Sequence, residues 1–202
     1  MATRVKKKNF SSFTYAEAFK YLGIEEIIPW KFSVEPIASS EFFQENLRQI
    51  SEVFDLQSSE ESKKLLIDAI CQESVRHFKQ LKIWKAAPLS DERTTGHLDY
   101  LLAKRRAYLE APLLCIVEAK KDDFEQGLAQ CLPAMKACQY QLLGQNLDIY
   151  GIVTNGEGWR FYKLTPDGLV YGSELYAIGN LPQVLGILNI IFEQCEQNLL
   201  AS

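Results

Sequence analysis

Three ionisable residues sit in segments that are otherwise built for burial. Asp99 lies within Gly96-His97-Leu98-Asp99-Tyr100-Leu101-Leu102, and Glu118 and Lys120 close the run Leu113-Leu114-Cys115-Ile116-Val117-Glu118-Ala119-Lys120. Both segments are short and mostly apolar, bounded by Gly96, by the charged Lys104-Arg105-Arg106 and by Pro112, which predicts two β-strands with a polar connection. Alternate residues of a strand share a face, so Glu118 and Lys120 point the same way. If the strands pair as a hairpin, their backbones lie about 5 Å apart and Asp99 comes level with Glu118. Two carboxylates and an ammonium then converge at one end of a greasy sheet, a costly placement unless the charges are used.

Two carboxylates on adjacent strands suit a hard divalent cation such as Mg²⁺, which keeps several waters and takes one or two protein carboxylates. Such an ion activates a bound water and stabilises a leaving alkoxide. A lysine two residues on can touch the attacking water or the negative charge developing on phosphorus. Asp, Glu and Lys together are a minimal set for hydrolysing a phosphodiester, with no covalent nucleophile. The competing reading makes Asp99 and Lys120 a structural ion pair with Glu118 capping the next helix, although three ionisable groups are a heavy cost for a pair that adds little stability.

The elements that must position these residues follow from the rest of the chain. At 202 residues it is long enough for one well-packed domain, and nearly half its residues are hydrophobic. No apolar run approaches the roughly 18 residues of a membrane span, and the basic start through Lys8 lacks the apolar core of a signal peptide. Five dispersed cysteines without a C-x-x-C pair read as reduced core residues, so the expected location is cytoplasmic. A net charge of -4 argues against a general nucleic-acid coat but not against a local basic groove. Basic residues (Arg76, Lys79, Lys82, Lys85, Arg93, Lys104, Arg105, Arg106) do gather around the two strands.

Thr14-Tyr15-Ala16-Glu17 predicts a capping box with Gly23 as the helix stop, and Ser39 and Ser40 cap a second helix. Residues 1–57 therefore read as a helical extension packed on a core domain, 58–202. Ser58-Ser59-Glu60-Glu61 opens the longest helix, expected to run to about Lys79, with Glu73 inside its apolar arc. Glu73 is then either an at least partly buried carboxylate or the margin of a broad stripe. Leu81 to Ala87 is a strand. After Lys120, Asp122 and Asp123 start a helix in which Pro133 should cause a kink or break. Asp148 to Thr154, Trp159 to Leu164 and Leu169 to Ala177 are strands joined by Asn155-Gly156 and Asp167-Gly168 turns, and a helix capped by Asn180 ends the chain. The order predicts an α/β fold with a mixed central β-sheet flanked by α-helices.

In this context Leu98-Asp99 and Glu118-Ala119-Lys120 resemble the PD-(D/E)XK nuclease superfamily, with leucine in place of the proline. Gln130, on the helix after the strands, is similar to a glutamine often found there, whereas Ala134 stands where a tyrosine frequently follows. Val153-Thr154-Asn155-Gly156 with Trp159, Phe161 and Tyr162 resembles a hairpin in the N-terminal nuclease domains of type I restriction motor subunits. The resemblance spans Ser58 to Ala201. It implies a restriction-endonuclease-like core, Mg²⁺ (with Mn²⁺ as a substitute) on Asp99 and Glu118, water activation by Lys120 and substrate positioning by Gln130. It also implies an assisting glutamate on the preceding helix, for which Glu73 is the candidate ahead of Glu60 or Glu61. The implied function is Mg²⁺-dependent endonucleolytic cleavage of DNA. The alternative is a catalytically inactive nuclease-fold module that binds DNA or a protein partner, and a homodimer is expected only weakly. Trp159, Phe161 and Tyr162 are expected to pack in the core ahead of stacking on bases, and His97 to be a surface residue near the site.

Overall fold

A computed structural model describes residues 6–120, 123–142 and 144–201. Asp122, read above as part of a helix start, lies outside the described residues, as do Lys121 and the first residues of the basic N-terminus. The chain forms an α/β structure with one mixed sheet between two helical layers. The elements are β1 (Lys8–Asn9), α1 (Tyr15–Leu22), β2 (Ile28–Pro29), α2 (Glu41–Val53), α3 (Glu60–Val75), β3 (Leu81–Ser90), β4 (Thr94–Lys104) and β5 (Leu113–Ala119). They continue with α4 (Phe124–Gln141), β6 (Ile149–Thr154), β7 (Gly158–Leu164), β8 (Val170–Gly172), β9 (Tyr176–Ala177) and α5 (Leu181–Ala201). Strand order along the sheet is β1-β4-β5-β6-β7-β8-β2, with β3 on the other side of β4 and β9 on β7.

The caps that the sequence announces for α1 to α4 are in place, whereas Asn180 lies in a 3₁₀ turn before α5 and its side chain donates to Gln183 Oε1. Thr14 and Glu17 complete their capping box, and Gly23 ends α1 at φ 72°, a left-handed conformation that glycine adopts without a Cβ penalty. Ser40, Ser59 and Asp123 accept from the backbone N–H of Phe43, Ser62 and Gln126 at the starts of α2, α3 and α4. Boundaries differ in several places, β3 among them, which runs to Ser90 past the expected Ala87. Helix α3 stops at Val75, four residues before the expected end. The last predicted strand is two short pieces, β8 and β9, both paired to β7. Helix α4 runs unbroken through Pro133. Its turns from Ala129 to Met135 are buried against the sheet, and that packing outweighs the roughly 3 kcal/mol a mid-helix proline costs.

One layer packs α2, α3 and α5 on the sheet through Phe43, Leu66, Ile67, Ile70, Leu188 and Phe192. The other packs α1 and α4 through Phe13, Ala18, Leu128, Leu132 and Met135. Residues 6–57 supply two helices and also β1 and β2, which pair in parallel with β4 and β8 at opposite ends of the sheet path. All five cysteines are buried and free. Among the described residues no helix is long and apolar enough to cross a membrane.

The Thr-Asn-Gly hairpin is closed by its own side chains. Thr154 Oγ1 donates to Gly158 O (2.8 Å) and accepts from Gly156 N (2.9 Å), while Asn155 Oδ1 accepts from Gly158 N at 2.7 Å. Gly156 sits at φ 87°, and the Trp159 indole donates to its carbonyl at 3.0 Å. Trp159 and Phe161 are fully buried and Tyr162 nearly so, as expected for core residues. Trp159→Ala should therefore cost about 3–5 kcal/mol in chemical denaturation, since it opens a large cavity and frees the turn. A loss under about 1 kcal/mol, the level of an ordinary surface change, would contradict this role for the indole.

Candidate functional site

Strand β4 pairs with β3 along one edge from Thr95 to Lys104. Its other edge is shared. β1 takes Thr94 and Thr95, β5 takes Tyr100 to Ala103, and residues 96–99 between them have no strand partner there. The register Tyr100↔Val117, Leu101↔Ile116 extends by one step to set Asp99 level with Glu118. At that step a side chain replaces the ladder, and Ala119 N donates to Asp99 Oδ2 at 2.9 Å. The strands part at the pair of acids.

A local distortion aims Asp99 into this parting. Ala86 of β3 stands opposite Asp99, between the pairs Lys85↔Tyr100 and Ala87↔Leu98, at φ 49°. A non-glycine residue in the left-handed region costs of order 1–3 kcal/mol and is found mostly where local geometry is used. Leu98 packs with the α1/α4 core and Tyr100 with the α2/α3/α5 core, although residues two apart in a regular strand share a face. The alternation therefore breaks at Asp99, which is in reach of both layers.

From the α3 layer comes Lys64, a residue that sequence reasoning missed. Its Nζ is 3.0 Å from Asp99 Oδ1, 2.7 Å from Glu61 Oε1 and 3.6 Å from Glu60 Oε1. Partial burial works against the ammonium, but hydrogen bonds to Glu61 and Asp99, with their charges, outweigh it and hold its pKa above the ordinary lysine value. Helix α3 is fastened here by the Tyr100 hydroxyl, which donates to Lys64 O at 3.4 Å, and by the Lys85–Asp68 ion pair at 2.6 Å. The only sequence signal was the i−3 and i−4 spacing of Glu61 and Glu60 from Lys64, which by itself denotes an exposed helix pair.

Glu118 is 3 % exposed. Burial pushes its carboxyl well above the usual range. The charge of Asp99 and a hydrogen bond to it raise the carboxyl further, while Lys120 and Lys64 pull it back. Burial, and next the same Glu118, push up the thiol of Cys131 on α4, so Glu118 lies on the α4 side of the sheet. Lys120 hangs on the hairpin, its N–H donating to Thr154 O at 2.9 Å. Its stem crosses Gly127 of α4, where a Cβ would lie 3.2 Å from Lys120 Cγ and 2.5 Å from Val153 Cγ1. Glycine at that position lets helix, strand and lysine approach closely.

Asp99, Glu118 and Lys120 are therefore brought together. Gln130 follows Gly127 by three residues on the same helical face, is 9 % exposed, and its side chain forms no hydrogen bond to another described residue. Glu73 is elsewhere. Its carboxylate accepts from Ser40 N (2.8 Å) and Ser40 Oγ (2.9 Å) and meets Arg76 at 3.4 Å. It ties the cap of α2 to α3, nine residues and about 13 Å along the helix from Lys64. The helical-wheel argument placed Glu73 on a buried face, and it is 7 % exposed, but position along the axis separates it from the site. Glu60 and Glu61 are the acids that α3 brings near, both through Lys64. His97 is exposed.

Among the described residues no group of three or more His, Cys, Asp or Glu side chains is placed to hold a metal ion. Asp99 and Glu118 offer two carboxylates, a number that Mg²⁺ accepts while keeping waters. Burial is the larger cause of the upward push on Glu118 and the Asp99 charge the next; a cation held by the two adjacent carboxylates would relieve that second part, and in this respect the donor set fits such an ion. The chain matches no family model and no curated protein.

Two outcomes follow from these geometries. Glu73→Ala leaves Ser40 N–H without its acceptor and should cost about 1–3 kcal/mol of stability in chemical denaturation; a loss under about 0.5 kcal/mol, the level of an ordinary surface change, would contradict this role. Glu118 has a folded-state pKa above its unfolded one, so its support for folding is complete below the ordinary glutamate value of about 4.3 and is lost as pH rises through the folded value. Glu118→Gln should thus melt close to wild type near pH 4 and increasingly above it toward neutrality. A melting-temperature difference that stays constant with pH would contradict the assigned burial.

Proposed function

We propose that this protein is a Mg²⁺-dependent endonuclease of the restriction-endonuclease-like fold, hydrolysing DNA phosphodiester bonds. The observation that carries the reading is the pairing of Asp99 with the buried Glu118 where β4 and β5 part, with Lys120 laid across Gly127 beside them. Asp99 and Glu118 would hold the cation, which supplies Lewis-acid stabilisation of charge developing on the phosphate. Lys120 would orient the attacking water and stabilise the same charge through its ammonium. It is suited to this because it forms no ion pair with another described residue, unlike Lys64. Gln130, buried and with no side-chain hydrogen bond to another described residue, would position substrate or water. Water adds to phosphorus, the P–O ester bond breaks, and the leaving oxygen takes up a proton.

The experiment is cleavage of single- and double-stranded DNA with Mg²⁺ or Mn²⁺ by wild type, Lys120→Ala and Asp99→Asn. Both variants should be about 10²–10⁴-fold slower while thermal unfolding shows them folded at the assay temperature, Lys120→Ala melting close to wild type. Equal activity in wild type and Lys120→Ala would remove Lys120 from the mechanism.

A second reading has its own observation. The Lys64 ammonium already neutralises Asp99, as it would in a nuclease-fold module that binds DNA or a protein partner without cutting. Absence of Mn²⁺ binding by a folded wild type and its variants would favour it.

A further inference from the structure

Lys64 joins the α3 layer to the sheet. Its side chain is 16 % exposed, and three carboxylates surround its ammonium. Asp99 belongs to the sheet, whereas Glu60 and Glu61 sit one turn back on the lysine's own helix. The two sets of partners differ in what they allow. If the contact with Asp99 opens, the ammonium stays within reach of Glu61 at 2.7 Å and Glu60 at 3.6 Å, and its charge remains compensated. The opposite release, away from the helix acids, would require the backbone of α3 to move, and Tyr100 and Lys85 fasten that segment.

Asp99 is divided as well. Oδ2 is committed to Ala119 N and Oδ1 to Lys64. A cation held by Asp99 and Glu118 would compete with Lys64 for the Asp99 charge, and it would repel an ammonium left 3.0 Å from Oδ1. The two positive charges are alternatives.

We propose that Lys64 is a latch on the cation site: it holds Asp99 while no divalent ion is bound and turns to Glu60 and Glu61 when one enters. This rests on the reading of Asp99 and Glu118 as metal ligands. The latch sets how much free cation is required to charge the site, and so acts before any substrate arrives.

The test is Mn²⁺ titration of the full chain by calorimetry, without nucleic acid, for wild type, Lys64→Met, Lys64→Gln, Lys64→Arg and Lys163→Met. Each neutral variant at position 64 should bind Mn²⁺ at least about tenfold tighter, the scale of one charged hydrogen bond that no longer has to break. Lys64→Arg should stay close to wild type. Lys163→Met removes a positive charge paired to Asp148, at the other end of β6 from Thr154, and should leave the affinity within about twofold, a change under 0.5 kcal/mol. Binding by the neutral variants alone, with none detectable in wild type, also supports the latch. Equal or weaker binding by both neutral variants overturns it and leaves the metal reading standing, as does equal tightening by Lys163→Met. Failure of wild type and all variants to bind, with thermal unfolding showing them folded, overturns the latch and the metal reading together.

Discussion

The site depends on one side chain standing in for a strand. Asp99 Oδ2 takes the N–H of Ala119 where the β4–β5 ladder would otherwise continue, and so ends the pairing of the two strands. That bond satisfies a backbone donor that burial would leave costly and frees the β5 end to turn toward α4. Asp99 is therefore structural and chemical at once. The same atoms that let the strands part hold a carboxylate beside Glu118, with Lys120 one alternation further on.

The surrounding elements hold that parting open. On the far side, β1 pairs with Thr94 and Thr95 and Phe10 packs on Gly96, where a Cβ would lie 2.6 Å from the ring. Below, the Thr-Asn-Gly turn carries Lys120 on its Thr154 carbonyl and meets α3, with Leu66 Cδ2 3.4 Å from the Cβ position of Gly156. Above, α3 is fastened by Tyr100 and Lys85 so that Lys64 reaches Asp99. Neither helical layer alone contains the site; it forms where both meet an interrupted sheet.

Its electrostatics follow from that position. Glu118 comes from the α4 side into a dry setting that favours its neutral form, and Asp99 strengthens the effect. Lys64, entering from the α3 side, compensates Asp99 and leaves Glu118 the strained member of the pair. A buried acid under such pressure does little for stability, and perturbed ionisable groups of this kind gather at functional sites.

Helix starts, hairpin turns and the strand pair were legible in the sequence because each is a local rule. A capping box lies within four residues, a Thr-Asn-Gly turn within three, and alternation puts Glu118 and Lys120 on one face wherever the strand packs. The level placement of Asp99 and Glu118 was also legible, because a hairpin register follows from two adjacent strands. Three features were not. Pro133 inside α4 is tolerated because of what the helix packs against, which local propensity does not contain. Glu73 and Lys64 are both on α3, and periodicity around a helix says nothing of which turn lies over the sheet's parting. The left-handed Ala86, which breaks the alternation at Asp99, has no signature in residue type. The sequence by itself determined which groups could do chemistry and the strands that carry them. Only the tertiary structure decided that Lys64 shares Asp99 and that Glu73 serves Ser40, because the spacing between layers is set by packing between segments far apart in the chain.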